Sequence, residues 1–226
     1  MIYIYAFIPA FLIISLFYFL DKHKEPVKAV VHGFVWGCAS ILVLFALRWA
    51  VYFNEPAQDG TFVNAFLTAF LFAGVLEEAA KMFIFIVAIS TYKEFDEWYD
   101  GIFYGLCVGV GFAFVENILY YNQYFAEAGM MIVYRRSLFS MPMHALLGGT
   151  MGFFLGKAKF HAGGTRKFRL IILAFLAPVV LHGLFDLCLM SDFLRSIGWL
   201  ITAISVGMWI YVIRLKQISQ TSEVSS

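Results

Sequence analysis

Charge is what this chain has least of. Only 14% of its 226 residues are Asp, Glu, Lys or Arg, against about 25% in soluble domains. Apolar residues make up 62%, and mean hydropathy is +0.82. Those figures exclude an ordinary soluble domain and define a polytopic membrane protein, with the lipid bilayer as its surroundings and no nucleic-acid partner expected. Cysteine is scarce too. Cys38, Cys107 and Cys188 all fall inside apolar runs, so they read as small packing residues and not as a disulfide framework. No Lys or Arg precedes the first apolar run and no small-residue cleavage pattern follows it, so it reads as a retained span and not a cleaved signal. No inverted repeat is evident. Neither His-Glu-x-x-His nor a Ser-His-Asp grouping with a suitable nucleophile occurs.

What is present is a succession of apolar runs, each about 20 residues long, the length a helix needs to cross a bilayer. They cover about 2–20, 27–53, 62–89, 101–120, 137–158, 170–190 and 197–215. The expected fold is all-α: a transmembrane helix bundle of about seven spans forming one integral-membrane domain over residues 1–226. The stretch at about 121–134 is too polar to cross and is expected to lie at the interface. Asp96-Glu97-Trp98-Tyr99-Asp100 reads as a solvated loop, with Asp100 as the N-cap of the following helix. The Ser-rich tail, 216–226, is expected to be disordered.

Loop charge sets the orientation. Lys22, Lys24, Lys28, Lys93, Lys157, Lys159, Arg166, Lys167, Arg169, Arg214 and Lys216 fall on one side, and Arg48, Arg135, Arg136 and Arg195 on the other. The N-terminus is therefore expected outside and the C-terminus in the cytoplasm. The Arg135-Arg136 pair runs against the bias without reversing it.

Against so apolar a background, the few intramembrane ionisable groups stand out. Glu77, Glu78 and Lys81 interrupt the third span, and each is costly at mid-bilayer, roughly 2.5–3.5 kcal/mol on insertion scales. On a helix Lys81 faces both carboxylates. Glu116 and Asn117 lie late in span four, His144 early in span five, and His182 and Asp186 share one face of span six. With the spans alternating in direction, all of these fall in the outer half of the membrane near the level of Glu77 and Glu78. The core of the site is thus expected within about 62–190. Gly101, Gly105, Gly109 and Ala113, and likewise His144, Gly148, Gly152 and Gly156, form small-residue stripes that let helices approach closely. Pro178 leaves the Ala174 carbonyl without its helical donor, which can open a pocket beside His182.

Adjacent carboxylates in a low-dielectric setting do not both ionise easily, so one base and one acid are available near neutral pH. A carboxylate that polarises water, a histidine that shares its proton and a second histidine that steadies an oxyanion meet the needs of peptide hydrolysis. Two other chemistries use the same residue types. One is a zinc-dependent protease with His144, His182 and a Glu as ligands; the other is a proton-coupled transporter. The spacing contains no recognised metal-ligand motif, so no metal or other cofactor is expected.

Glu77-Glu78-Ala79-Ala80-Lys81, Phe112 through Asn117, His144-Ala145-Leu146-Leu147-Gly148 and His182-Gly183-Leu184-Phe185-Asp186 together resemble the PrsW family of intramembrane proteases, itself similar to the CAAX prenyl protease and bacteriocin-processing superfamily. The resemblance implies a glutamate-type endopeptidase of the bacterial plasma membrane that makes the site-1 cut in a single-span anti-sigma factor. It further implies catalytic roles for Glu77, Glu78, Glu116, His144, His182 and Asp186, with Lys81 and Asn117 in support. Asp186 departs from the Asn of the superfamily's His-x-x-x-Asn element. An ionised Asp cannot donate to an oxyanion, so the alternatives for it are to orient His182 or to be protonated.

Overall fold

The computed structural model describes residues 3–20, 24–51, 56, 59–160 and 163–195, together with isolated positions beyond 195. Among the described residues every regular element is helical. Seven helices are delimited up to residue 195: α1 (Ile4–Leu20), α2 (Val27–Val51), α3 (62–89), α4 (Asp100–Ala128), α5 (Met130–Phe160), α6 (Gly164–Met190) and the short α7 (Asp192–Arg195). Four of them, α2, α4, α5 and α6, are long and apolar enough to cross a membrane. The expected span at 197–215 and the tail at 216–226 lie outside the described residues, apart from isolated positions.

Helix α4 is the axis of the bundle. Its residues 100–113 are all buried, and α5 packs along it. The small-residue stripes explain the closeness: a methyl group built on Gly105 would overlap the Gly148 carbonyl oxygen, and one on Gly148 would overlap that of Gly105. The two backbones therefore meet with no side chain between them, as small-xxx-small stripes allow. On the outer surface, Phe11, Leu12, Val31, Leu42, Phe83 and Val180 are exposed, an apolar jacket suited to lipid.

Helix α3 is not uniformly α-helical. It passes through π turns at Thr68–Val75 and Phe85–Ile89, which flank the α-helical Leu76–Ile84. A third π turn, Arg136–Ser140, lies in α5 just before Met141 and Pro142. Such turns re-aim side chains relative to a regular helix and recur at functional sites. Here they bracket Glu77, Glu78 and Lys81 and precede His144. Helix α6 continues through Pro178.

Two local expectations need correction. Residues 121–134 do not form a separate connection between helices. α4 runs on to Ala128, Gly129 turns the chain at φ 55°, and α5 starts at once. Buried Tyr121 and Val133 pack with Ala6 of α1, so this polar-looking extension still has an apolar seam. Nor is the 96–100 segment a solvated loop. Trp98, Tyr99 and Asp100 are buried, Trp98 lies edge-on to Phe153, and Asp100 is the first helical residue. Its carboxylate accepts the backbone N–H groups of Asp96 and Glu97, tying down the preceding turn.

Candidate active site

Four helices deliver the ionisable groups read from the sequence to one place. Glu77, Glu78 and Lys81 come from α3, Glu116 and Asn117 from α4, His144 from α5, and His182 and Asp186 from α6. All but Asp186 are buried, Glu78 and Lys81 completely. The π turn at Thr68–Val75 seats α3 tightly on α6: a Cβ on Gly74 would press on the Val179 carbonyl, and one on Gly183 would strike the Phe70 ring. That contact brings Glu78 and His182 together.

The neighbouring glutamates have different partners. Glu78 Oε1 accepts from Lys81 Nζ at 2.7 Å and from His182 Nδ1 at 2.8 Å. Glu77 Oε2 and Glu78 Oε2 are both buried without a hydrogen-bond partner, but it is Glu77 that lines the cavity of the site. Its Oε2 faces His182 Nε2 at 3.9 Å and Lys81 Nζ at 4.0 Å, and Arg48 Nη2 stands 3.9 Å from Glu77 Oε1. Separations near 4 Å are too long for direct hydrogen bonds and suit a bridging water. Glu77, Thr68, Glu116, His144, His182 and Asp186 help line a cavity of about 190 Å³, polar and roomy enough for several waters.

The histidines are engaged differently as well. His144 Nδ1 lies 2.9 Å from the Lys81 ammonium, which has only protons to give, so Nδ1 is the acceptor. His144 Nε2 then carries the proton and donates to Glu116 Oε2 at 2.9 Å. Both nitrogens of His144 are therefore occupied. His182 donates Nδ1–H to Glu78, while its Nε2 faces the cavity, 3.4 Å from Asp186 Oδ2. The two rings meet edge to face with centroids 5.1 Å apart. Lys81 packs 4.1 Å above the Phe112 ring centroid, a cation–π contact that helps hold a buried ammonium.

Two arginines complete the site, and sequence reasoning gave them no part in it. Arg136, at the π turn of α5, donates Nη2–H to Glu116 at 2.5 Å and Nε–H to Asn117 Oδ1 at 2.7 Å. Its guanidinium stacks 3.8 Å from the Tyr120 ring centroid. Arg48, at the end of α2, is partly exposed at the cavity rim beside Glu77. The available signal was Arg136's place in a pair that contradicted the loop-charge bias.

An unbroken chain of polar contacts thus runs from Arg136 through Glu116, His144, Lys81 and Glu78 to His182. Beside it lies a carboxylate with an open oxygen. A helical membrane protein with buried carboxylates and imidazoles around a polar cavity is equipped for hydrolysis, among other proton chemistries. Residues 25–215 match the family described as PrsW family intramembrane metalloprotease, and the chain belongs to that family. It is 33% identical to Protease PrsW of Oceanobacillus iheyensis over 218 residues, covering 96% of this chain and 95% of that protein. It is 37% identical to Protease PrsW of Bacillus subtilis over 182 residues (80% and 79%), and 34% identical to that of Geobacillus kaustophilus over 202 (89% and 84%). No solved structure matches the chain. The protein is a peptidase of the membrane.

The family description names a metal, and Glu77, His144 and His182 each offer a ligand atom within 4.8 Å of one another. A catalytic zinc takes three protein ligands and leaves a fourth position open. Its histidines use one nitrogen on the metal and the other on a carboxylate or carbonyl. His182 fits that pattern, with Nδ1 on Glu78 and Nε2 open, and Glu77 Oε2 is open beside it. His144 does not fit: Lys81 occupies one nitrogen and Glu116 the other. An ammonium also stands 4.0 Å from Glu77 Oε2. As arranged, the donors supply two open ligand atoms and not three, so this set does not fit a catalytic zinc.

Proposed function

We propose that the protein is a glutamate-type intramembrane endopeptidase in which Glu77 activates water. The observation that carries this reading is the Glu77 Oε2 atom, buried and unpartnered at the cavity with His182 Nε2 at 3.9 Å. A water between them gives its proton to Glu77 while its oxygen attacks the substrate carbonyl carbon. His182, protonated on both nitrogens in this scheme, keeps Nδ1–H on Glu78 and turns Nε2–H to the negative charge that develops on the carbonyl oxygen. Glu77 then returns the proton to the leaving amine, so proton and bond counts close without a further reagent.

The remaining residues are positioning residues in this scheme. Glu78 fixes the ring of His182 through Nδ1. Asp186 borders His182 Nε2 at 3.4 Å and, being acceptor-only when ionised, aligns the ring and does not contact the oxyanion. Arg136 and Asn117 hold Glu116, Glu116 holds His144, and His144 holds Lys81 against Glu78. His144, with both nitrogens engaged, and Glu116, whose Oε2 accepts from both Arg136 and His144, form the wall of the site in this scheme.

The substrate class is a single-span membrane protein, an anti-sigma factor cut on its outer side, in the bacterial plasma membrane. Support comes from the family's motifs and from the outward depth of the site under the loop-charge orientation. The test is co-expression with candidate single-span anti-sigma factors, blotting for a trimmed product with wild type, Glu77→Gln and His182→Ala. A product from wild type alone, with all three proteins accumulating, is the expected result; equal trimming by the variants ends the proposal.

A metal-dependent reading is favoured by the family's description and by the Glu77–His144–His182 grouping, and requires His144 to leave Lys81 or Glu116. Metal content of the purified enzyme and activity after chelation decide between the readings. The glutamate mechanism expects no stoichiometric zinc and unchanged cleavage in chelator.

A further inference from the structure

The opposite end of the bundle carries a second built feature that proteolysis does not use. Between the end of α3, the end of α5 and the start of α6 lies a cavity of about 320 Å³ with apolar walls, Phe85, Ile86, Leu155 and Ile171 among them, and Lys159 and Lys167 at it. Lys159 and Lys167 each stand fifteen residues along their helices from His144 and His182, about 22 Å at the helical rise. The two cavities are therefore separate.

Three independent features here favour an anion joined to a hydrocarbon chain. First, residues 157–169 hold Lys157, Lys159, Arg166, Lys167 and Arg169 and no Asp or Glu. Arg166 lies near enough to Lys157 to repel it, so the cluster is not neutralised from within, although Asp96 and Asp100 act on Lys159. Secondly, Lys159 is fixed in place: its ammonium donates to Ser90 O at 3.1 Å and Phe95 O at 2.7 Å, and it packs 4.0 Å from the Phe95 ring centroid. Two of its three donors are used and one remains. Thirdly, α6 begins at Gly164 behind an extended Gly163, and among the described residues no side chain caps it, so the positive end of this long helix lies beside Lys167.

We propose that this cavity is a binding site for an anionic phospholipid, its phosphate between Lys167, Lys159 and the start of α6, and an acyl chain along Phe85, Ile86, Leu155 and Ile171. A lipid fits better than free phosphate because the walls below the cationic rim are apolar and Ile86 is exposed on the outside of the bundle. Basic pockets between transmembrane helices take such headgroups. Because this lipid joins α3, α5 and α6, the three helices that carry Glu77, His144 and His182, its binding is expected to stabilise the bundle.

The experiment is native mass spectrometry of the full-length enzyme with phosphatidylglycerol or phosphatidylcholine added, for wild type, Lys167→Glu and Lys159→Gln. Wild type is expected to retain phosphatidylglycerol over phosphatidylcholine, and Lys167→Glu to lower that retention by about fivefold. Lys167 is exposed and far from the catalytic residues, so its variant should fold and keep basal cleavage. Equal retention of the two lipids by wild type overturns the proposal. So does a loss confined to Lys159→Gln, which would report only the anchoring of the 90–95 turn.

Discussion

Replacing Gly109 with alanine tests whether close backbone packing, and not merely the set of ionisable residues, makes the active site. A Cβ at Gly109 would overlap the backbone carbonyl oxygen of His144. The overlap is about 1 Å beyond what real contacts tolerate, and with backbone on the far side nothing flexible can yield. α4 and α5 must part locally by about that distance. His144 is held at 2.9 Å both by Lys81 and by Glu116, and a shift of about 1 Å carries either contact past the limit of a hydrogen bond. Misplacement on that scale is worth roughly 100-fold in rate, while the overpacking itself costs about 1–3 kcal/mol of stability. The control is Gly156→Ala, on the facing stripe of α5, where a Cβ meets the Trp98 carbonyl at the far end of the bundle. Both variants should lower thermal stability comparably, measured on detergent-purified protein, and only Gly109→Ala should lose most of its cleavage of a membrane-anchored reporter. Near-wild-type cleavage by Gly109→Ala, or equal loss in both, refutes the reasoning.

The two glutamates should separate by their effects on stability. Glu77→Gln is expected to cut the rate by about 10²–10⁴-fold with little change in Tm, since the open Oε2 makes no hydrogen bond. Glu78→Gln should also cost about 3–5 kcal/mol of stability, because it removes the carboxylate charge that pairs with the buried Lys81 ammonium; equal Tm values for the two variants would contradict this division. Arg136→Lys keeps the charge but cannot span Glu116 and Asn117 while stacking on Tyr120. It should lower kcat by about tenfold or more with KM little changed, and a change in KM alone would make Arg136 a substrate contact. Asp186→Asn is expected to keep measurable cleavage, within about 100-fold of wild type, since Asp186 aligns His182; complete loss in a folded protein would give it a direct chemical role.

Much of the site was legible because charge in a membrane is expensive. In a chain with so few ionisable residues inside its apolar runs, Glu77, Glu78, Glu116, His144, His182 and Asp186 announce themselves by position. The glycine stripes were equally readable, and they lie at the α4–α5 contact. Arg136 was not readable as part of the site. Its charge counted toward loop bias, and only the π turn at Arg136–Ser140 and the long α4–α5 hairpin bring it over Glu116 and Asn117. The polarity of 121–134 misled for a related reason, since one buried seam, Tyr121 of α4 and Val133 of α5, packs this partly polar hairpin against α1.

By itself, then, the sequence determined that this is a helical membrane protein with acidic and imidazole groups at a common depth, because hydropathy and charge placement act through the local energetics of bilayer insertion. Only the tertiary structure decided which partner each group has: that Glu78 is held twice through Oε1 while Glu77 turns an unpartnered Oε2 to the cavity, and that His144 has both nitrogens engaged while His182 turns one to the cavity. Those assignments depend on contacts between four helices and on π turns that rotate one stretch of helix against the next. Residue spacing along a single helix does not contain that information.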